Sequence, residues 1–282
     1  MGDIAADTAV TLEDGPDGEG RVRLRASLSR DWEIWGPEGG YVAAVALRAA
    51  GAASPFARPA SFFCHYLSVG AFEDVELLVT PRRSGRTVLS QQVEMVQGGR
   101  RVLDAMVWSV GDVDGLEHVD VHPPDVPEPE QLKSPQELRP DEDRPPFKFW
   151  DNFDTRPVNW IESWPPPGPL EPTYLTWIRS RAHSASDDPW VDAARTLIVL
   201  DVMSWPAGSR PHAHREHGFI APSLDLYAAF QHSGREEEWL LLDGHSPVAG
   251  EGLLSWTGRV WSRDRRLVAS GGGQALFRRT TP

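Results

Sequence analysis

One carboxylate stands out because it lies inside an apolar segment. The run from Val191 to Met203 is mainly apolar, as expected for a helix that other elements surround, and Asp201 directly follows its apolar stretch 197–200. A carboxylate in such a place is costly to bury unless it is hydrogen-bonded or used in chemistry. Two interpretations stay open. Asp201 either ends the helix and faces solvent, or acts as a general base, or as a carboxylate that orients a water, at the end of a pocket.

Two other motifs suggest a nucleophile, and both fail on geometry. Cys64 and His65 are neighbours on a predicted strand, where adjacent side chains point to opposite faces, so they cannot form the usual nucleophile–base pair. We expect Cys64 to be a small buried hydrophobe. The run Gly-His-Ser-Pro at 244–247 resembles the start of a nucleophile elbow, but Val248 replaces the final glycine and no helix can begin there.

The histidines at 212–217 form the most tempting metal cluster. His212, His214 and His217 lie close together with Glu216 between them. The prolines and glycines of 206–218 predict a loop, which would not fix ligand geometry as a helix or strand does. We therefore expect a polar connecting loop, in which a protonated histidine could still meet an anionic group of a ligand.

The composition excludes several classes of function. With 28 basic and 41 acidic residues the formal net charge is −13, which argues against nucleic-acid binding. No apolar run approaches the roughly 18 residues of a membrane span, and the acidic start at 1–4 is unlike a signal peptide, so we expect a cytoplasmic protein. The single cysteine excludes internal disulfides. The two lysines, Lys133 and Lys148, do not lie in apolar settings, and phosphate-binding glycine motifs are absent, which argues against Schiff-base and nucleotide chemistry.

The chain divides into two similar halves. Residues 1–110 are predicted to form an N-terminal module and 147–282 a C-terminal module, joined by an acidic, proline-rich linker at 111–146. Each module has one predicted helix, at 36–50 and at 188–203, with strand-like runs after it. In the first helix the only acid, Glu38, lies in the first turn, where it suits the helix dipole. Residues such as Ser90 and Ser255 match at one constant offset of 165. The fold class is α+β, with mainly antiparallel sheets.

The order of these motifs resembles the TesB-like acyl-CoA thioesterases. The resemblance rests on Leu-Ile-Val-Leu-Asp at 197–201, Ser-Leu-Asp at 223–225, Leu-Val-Ala-Ser-Gly-Gly-Gly-Gln at 267–274 and Trp-Gly-Pro-Glu-Gly-Gly-Tyr at 35–41. It implies a double hotdog, in which two helices are each wrapped by a sheet and the sheets are continuous. It also implies hydrolysis of acyl-CoA thioesters to free acid and CoA without an acyl-enzyme, cofactor or metal. A dimer of double hotdogs and a role in fatty acid metabolism are further implications.

The site that the resemblance implies consists of Asp201, Ser223 and Gln274, which would hold one water. Aligned on Val-Ala-Ser at 268–270, however, the family's glutamine falls on Gly273, one position before Gln274. We expect a bulge at the triplet Gly271–Gly273 to turn Gln274 toward Asp201. A regular strand would instead favour a catalytically impaired acyl-CoA or acyl-carrier binding protein. A hotdog dehydratase or hydratase that uses His183, just before the second helix, is the third alternative.

Overall fold

The structure is a computed structural model that describes residues 1–140, 147–182, 186–215 and 218–279. Its helices are α1 (Ile4–Asp7), α2 (Gly39–Ala52), α3 (Pro135–Leu138), α4 (Pro189–Asp201) and α5 (Ser204–Ser209). Its strands are β1 (Thr11–Asp14), β2 (Val22–Ser27), β3 (Arg58–Tyr66), β4 (Asp74–Ser84), β5 (Val88–Gln97), β6 (Arg100–Val110), β7 (Phe153–Pro157), β8 (Thr173–Ser180), β9 (Phe219–Ile220), β10 (Asp225–Phe230), β11 (Trp239–Gly250), β12 (Leu253–Trp261), β13 (Leu267–Leu276) and β14 (Arg278–Arg279).

Twelve of these strands form one antiparallel sheet that has internal symmetry. Its order is β1-β2-β4-β5-β6-β3-β10-β13-β12-β11-β8-β7, so the two halves have the same order when each is followed from its outer edge inward. The strands β3 and β10 pair antiparallel at the centre and make the sheet continuous. The predicted α+β duplication with continuous sheets is confirmed.

The long helices α2 and α4 lie on one face of this sheet and pack against each other. Helix α2 is rich in alanine and buries Ala43, Ala44 and Ala46 completely, which lets a neighbouring helix approach closely. Helix α4 buries the apolar run that the sequence predicts, from Leu197 to Leu200. Within the described residues, no helix is long and apolar enough to cross a membrane.

The middle of the predicted linker, from Val121 to Leu132, covers the outer face of the second half-sheet. Its apolar side chains pack against a cluster of buried residues on that face; they are Val121, Val126 and Leu132, packed on Trp177, Trp239, Leu241 and Trp261. The indole N–H of Trp177 donates to the Pro127 carbonyl at 2.9 Å. This segment is therefore held in place by packing and is not a free spacer; the end of the predicted linker, 141–146, lies outside the described residues.

The loop predicted for 206–218 is wrong at its start, because Ser204–Ser209 form helix α5. Pro206 is tolerated because it lies in the first turn, where the backbone N–H groups have no helical acceptor. Gly208 is needed for packing, since a Cβ there would lie 2.4 Å from a methyl group of Leu254. Sequence signals for a loop are thus overridden by a tight contact with the sheet.

Candidate functional site

The site lies where the end of α4 meets the first turn of α2. Asp201 is the last residue of α4 and is only 5% exposed. A Cβ on Gly39 would lie 2.8 Å from Asp201 Oδ2, and one on Gly40 would lie 2.9 Å from the Cβ of Asp201. The two glycines therefore allow the carboxylate of one module to lie against the helix N-terminus of the other. The sequence alternative of a solvent-facing Asp201 is wrong.

Glu38 caps the same helix end and is also buried, at 4% exposure. The N–H groups of Gly40 and Tyr41 donate to its Oε1 and Oε2 at 3.0 and 2.7 Å. Its backbone is extended, as is typical of an N-cap residue. The sequence predicts a favourable interaction with the helix dipole, and the structure adds that this carboxyl group faces Asp201.

The two carboxyl groups perturb each other. Burial raises the pKa of Glu38 well above its usual range, and the nearby Asp201 raises it further by charge repulsion and hydrogen bonding. Burial also raises the pKa of Asp201, while hydrogen bonds from Glu38 and the Gly40 N–H act in the opposite direction. Among the described residues, no basic side chain contributes to the pKa of Asp201. The pair therefore favours a state with one proton and one negative charge.

A tyrosine from β3 completes this group. Tyr66 Oη and Asp201 Oδ1 are both buried and have no hydrogen-bond partner in the described part of the chain. The Tyr66 hydroxyl lies 3.3 Å from the position that a Cβ on Gly39 would take. No sequence pattern indicates Tyr66, because the packing of β3 against α2 and α4 places it beside the helix ends.

Cys64 lies on the same face of β3 and is fully buried. Burial raises the pKa of its thiol well above the usual range, so the thiol stays protonated. His65 is exposed on the other face of the strand. The prediction that Cys64 is a small buried hydrophobe is confirmed.

Gln274 is not brought to Asp201. Across the glycine triplet, β12 and β13 pair in a regular register, with Gly271, Gly272 and Gly273 opposite Gly258, Thr257 and Trp256. The predicted bulge at the triplet is therefore wrong. Gln274 is exposed, and its amide lies 3.4 Å from Ser255 Oγ on the face of the sheet opposite the helices. Gly273 occupies the position of β13 that faces the helices.

The register changes instead on the other neighbour of β13, just before β10 and next to Ser223. Tyr227 pairs with Gly272 while Ser223 bridges Ala275, so one extra residue lies on the Ser223 side. The Leu224 N–H donates to the Gln274 carbonyl at 2.8 Å, and the Leu224 carbonyl accepts from the Tyr66 N–H at 2.9 Å. Ser223 is thus opposite a buried residue, in a segment tied to the strand of Tyr66. Within the described residues its hydroxyl makes no direct hydrogen bond to Asp201.

The other candidates that the structure describes take no part in this site. His212 and His214 each have a buried Nδ1 without a partner in the described structure, and His212 packs on Phe219 and Phe277. The described residues contain no group of three or more potential metal ligands. His183, Glu216 and His217 lie outside the described residues. Ser246 is part of β11 and donates to the Ser255 carbonyl at 2.9 Å, so the failure of the elbow motif is confirmed.

The opposite end of the helix pair has a different set of residues. Asp188 caps α4 as Glu38 caps α2, by accepting from the Trp190 N–H at 2.8 Å. At the position that corresponds to Asp201, however, α2 has Gly51, and the indole of Trp190 lies 2.5 Å from where its Cβ would be. Asp188 pairs with Arg48 instead of a second acid. The two modules therefore differ, and among the described residues only the end at Asp201 has buried, facing carboxyl groups.

Comparison with known proteins agrees with this architecture. The sequence model of the acyl-CoA thioesterase N-terminal domain matches residues 28–110, and that of the acyl-CoA thioesterase C-terminal domain matches residues 123–276. Acyl-coenzyme A thioesterase 8 of Mus musculus is 26% identical over 109 residues, which are 39% of this chain and 34% of that protein. The chain thus matches about a third of the length of this curated relative.

Two solved structures are similar over almost the whole chain. Acyl-CoA thioesterase II TesB2 from Mycobacterium marinum is 26% identical and has a TM-score of 0.77, with 99% of both chains covered. A protein with a hot dog fold from Alicyclobacillus acidocaldarius is 18% identical and has a TM-score of 0.78, with 99% of this chain and 98% of that chain covered. Because one domain model alone covers more than half of the sequence, and the other covers most of the first half-sheet, this chain belongs to the acyl-CoA thioesterase family.

Proposed function

We propose that the protein hydrolyses acyl-CoA thioesters, with Asp201 as the general base. The observation that carries the proposal is the buried Asp201 carboxylate: its Oδ1 has no hydrogen-bond partner among the described residues, and its Oδ2 lies against the first turn of α2. A desolvated carboxylate with a raised pKa is suited to remove a proton from water near neutral pH. Family membership supports the reaction class.

The reaction needs no covalent intermediate. Asp201 takes a proton from water while the water oxygen bonds to the thioester carbon and the carbonyl electrons move onto oxygen. The carbonyl then re-forms, the C–S bond breaks, and the proton on Asp201 passes to the departing sulfur. The products are a free acid and a thiol, and Asp201 returns to its ionised state.

The first turn of α2 offers the donor that the tetrahedral oxyanion requires. Gly39 is the first residue of the helix and is partly exposed, and its N–H has no acceptor among the described residues. Helix N-termini carry partial positive charge, so this N–H is suited to stabilise negative charge on oxygen. The hydroxyl of Ser223 is proposed to help hold the water. Gln274 has no role in this proposal, because it lies on the other face of the sheet.

A thiol-release assay across acyl-CoA chain lengths tests the reaction. Turnover of at least one acyl-CoA supports the proposal, and absence of turnover across the panel contradicts it. A single turnover in ¹⁸O-water tests the route. Direct attack by water places the label in the acid and leaves the mass of the protein unchanged. Label in the protein would reveal an acyl-Asp201 anhydride opened at its aspartyl carbonyl, and a transient protein mass increased by the acyl group would reveal the anhydride itself; either result contradicts direct attack.

A second candidate is an acyl-CoA binding protein that has lost turnover. The outward orientation of Gln274 favours it, because the inward position at Gly273 has no amide to hold the water. Calorimetric titration with acyl-CoA separates the candidates. Binding without thiol release would support the binding protein, and binding with release supports the hydrolase.

Several broader predictions belong to the same proposal. They are a cytoplasmic location, a role in fatty acid metabolism, a dimer of double hotdogs, and module boundaries at 1–110 and 147–282 around the segment 111–146.

A further inference from the structure

Glu38 and Asp201 come from different modules, and each is almost completely enclosed. Glu38 is fixed by two N–H donors of α2, and Asp201 is fixed at the end of α4 against Gly39 and Gly40. Two buried carboxylates in contact repel each other strongly, so such a pair retains a proton. The position of that proton decides whether Asp201 is able to act as a base.

We propose that Glu38 holds the proton of this pair and donates it in a hydrogen bond to the Asp201 carboxylate, which makes Glu38 a positioning residue for the general base. This inference rests on the proposed function for its catalytic meaning. The proton of Glu38 is not consumed, since the proton that moves to the departing sulfur comes from water. A neutral Glu38 keeps Asp201 ionised and oriented while leaving Oδ1 available.

The other groups that face the pair do not supply this proton. From β3, Tyr66 and Cys64 lie nearest, and burial raises the pKa of both well above the usual range, so both stay neutral. Neither of them is a stronger acid than a carboxyl group. The backbone donors from Gly40 and Tyr41 fix the direction of Glu38. They also act to lower its pKa, but burial and the facing Asp201 are the larger effects and raise it.

The pair predicts a bell-shaped pH profile for kcat. At low pH, protonation of Asp201 removes the base. At high pH, ionisation of Glu38 removes the hydrogen bond to Asp201 and places a second negative charge beside it, so activity falls again. The two limbs belong to the pair as a unit, because the carboxyl groups titrate together.

Infrared difference spectroscopy of the wild-type protein tests the proton directly and does not depend on activity. The expected result is the carbonyl-stretch band of a protonated carboxylic acid at pH 7, which Glu38→Gln abolishes. The matched control is Asp188→Asn, which changes the equivalent cap of α4. Asp188 pairs with Arg48, and the buried Asp192 in the same turn pairs with Arg195, so the band should persist in this variant. Absence of the band in the wild type, or its persistence in Glu38→Gln, overturns the inference.

The pH profile supplies the catalytic readout. In Glu38→Gln the amide still donates to Asp201 but cannot ionise, so the high-pH limb of kcat should disappear, while Asp188→Asn should keep it. A high-pH limb in Glu38→Gln at the wild-type position overturns the positioning role. If the band of the protonated acid is present but no acyl-CoA is hydrolysed, the inference about the shared proton still holds. In that case only the proposed function is contradicted.

Discussion

Replacing Gly39 by alanine should separate catalysis from stability. The added Cβ would lie 2.8 Å from Asp201 Oδ2, whereas ordinary contacts begin at 3.4 Å. The carboxylate oxygen must therefore move by about 0.6 Å, and misplacements near 1 Å can cost on the order of 100-fold in rate. We expect kcat for thiol release to fall by about 10- to 100-fold.

The same substitution should have little effect on folding. Gly39 is partly exposed at the start of α2, and alanine there reduces the entropy of the unfolded chain, which offsets a small displacement of a side chain. The free energy of unfolding in urea should change by less than about 1 kcal/mol. Gly36→Ala is the matched control, since its Cβ would meet a methyl group of Val69 at 3.1 Å and should leave kcat unchanged. Wild-type kcat in a stably folded Gly39→Ala would refute the assignment of Asp201 as the base.

Three further predictions concern two residues of strand β13 and the buried carboxyl group of Asp201. Gln274→Ala should keep the wild-type thiol-release rate because this amide lies on the outer face; a loss near 100-fold would place it in the site after all. Gly273→Ala should lower the free energy of unfolding in urea by about 1–3 kcal/mol, since its Cβ would lie 2.3 Å from the Asp225 carbonyl oxygen, and unchanged stability would mean that the strands separate easily. Folding raises the pKa of the Asp201 carboxyl group. At pH values above the ordinary carboxyl pKa the native state therefore binds more protons than the unfolded state, and the free energy of unfolding falls as the pH rises toward the raised pKa. The melting temperature of Asp201→Asn relative to wild type should therefore be higher at pH 8 than at pH 5, and an equal difference at both would argue against a raised pKa.

The main helices and most strands could be predicted because their apolar patterns are strong. The stretch 197–200 before Asp201 is apolar and buried all round, as expected of a helix between a sheet and another helix. The strand-like runs that the sequence predicts do not include β1, β2, β7 or the two-residue β9. Residues of β1 are all exposed, so this strand has no burial signal. β2 alternates apolar and polar residues and buries Leu24 and Ala26, so its pattern is the one expected of a half-buried strand.

The glycine triplet shows where a conformational argument from sequence fails. Glycine permits a bulge, but here it permits close approach of backbones: Cβ atoms on Gly271 and Gly272 would lie 2.2 and 2.3 Å from the carbonyl oxygens of Tyr227 and Trp256. The extra residue lies on the neighbouring strand, near Ser223, where the sequence gives no indication of it.

The site itself was only half predictable. A carboxylate in an apolar helix indicates Asp201 without knowledge of the fold. Glu38 looks like an ordinary helix cap, because only the packing of α2 on α4 brings it to Asp201. Tyr66 has no distinctive sequence pattern and reaches the site through the packing of β3 against the two helices.

The most direct test of the central claim is the kcat of Asp201→Asn on the best acyl-CoA substrate, measured beside its binding affinity. Asparagine has nearly the same shape and cannot accept the proton of water, so kcat should fall by about two to four orders of magnitude while acyl-CoA binding is retained. Undiminished turnover in the purified, folded variant would contradict the account.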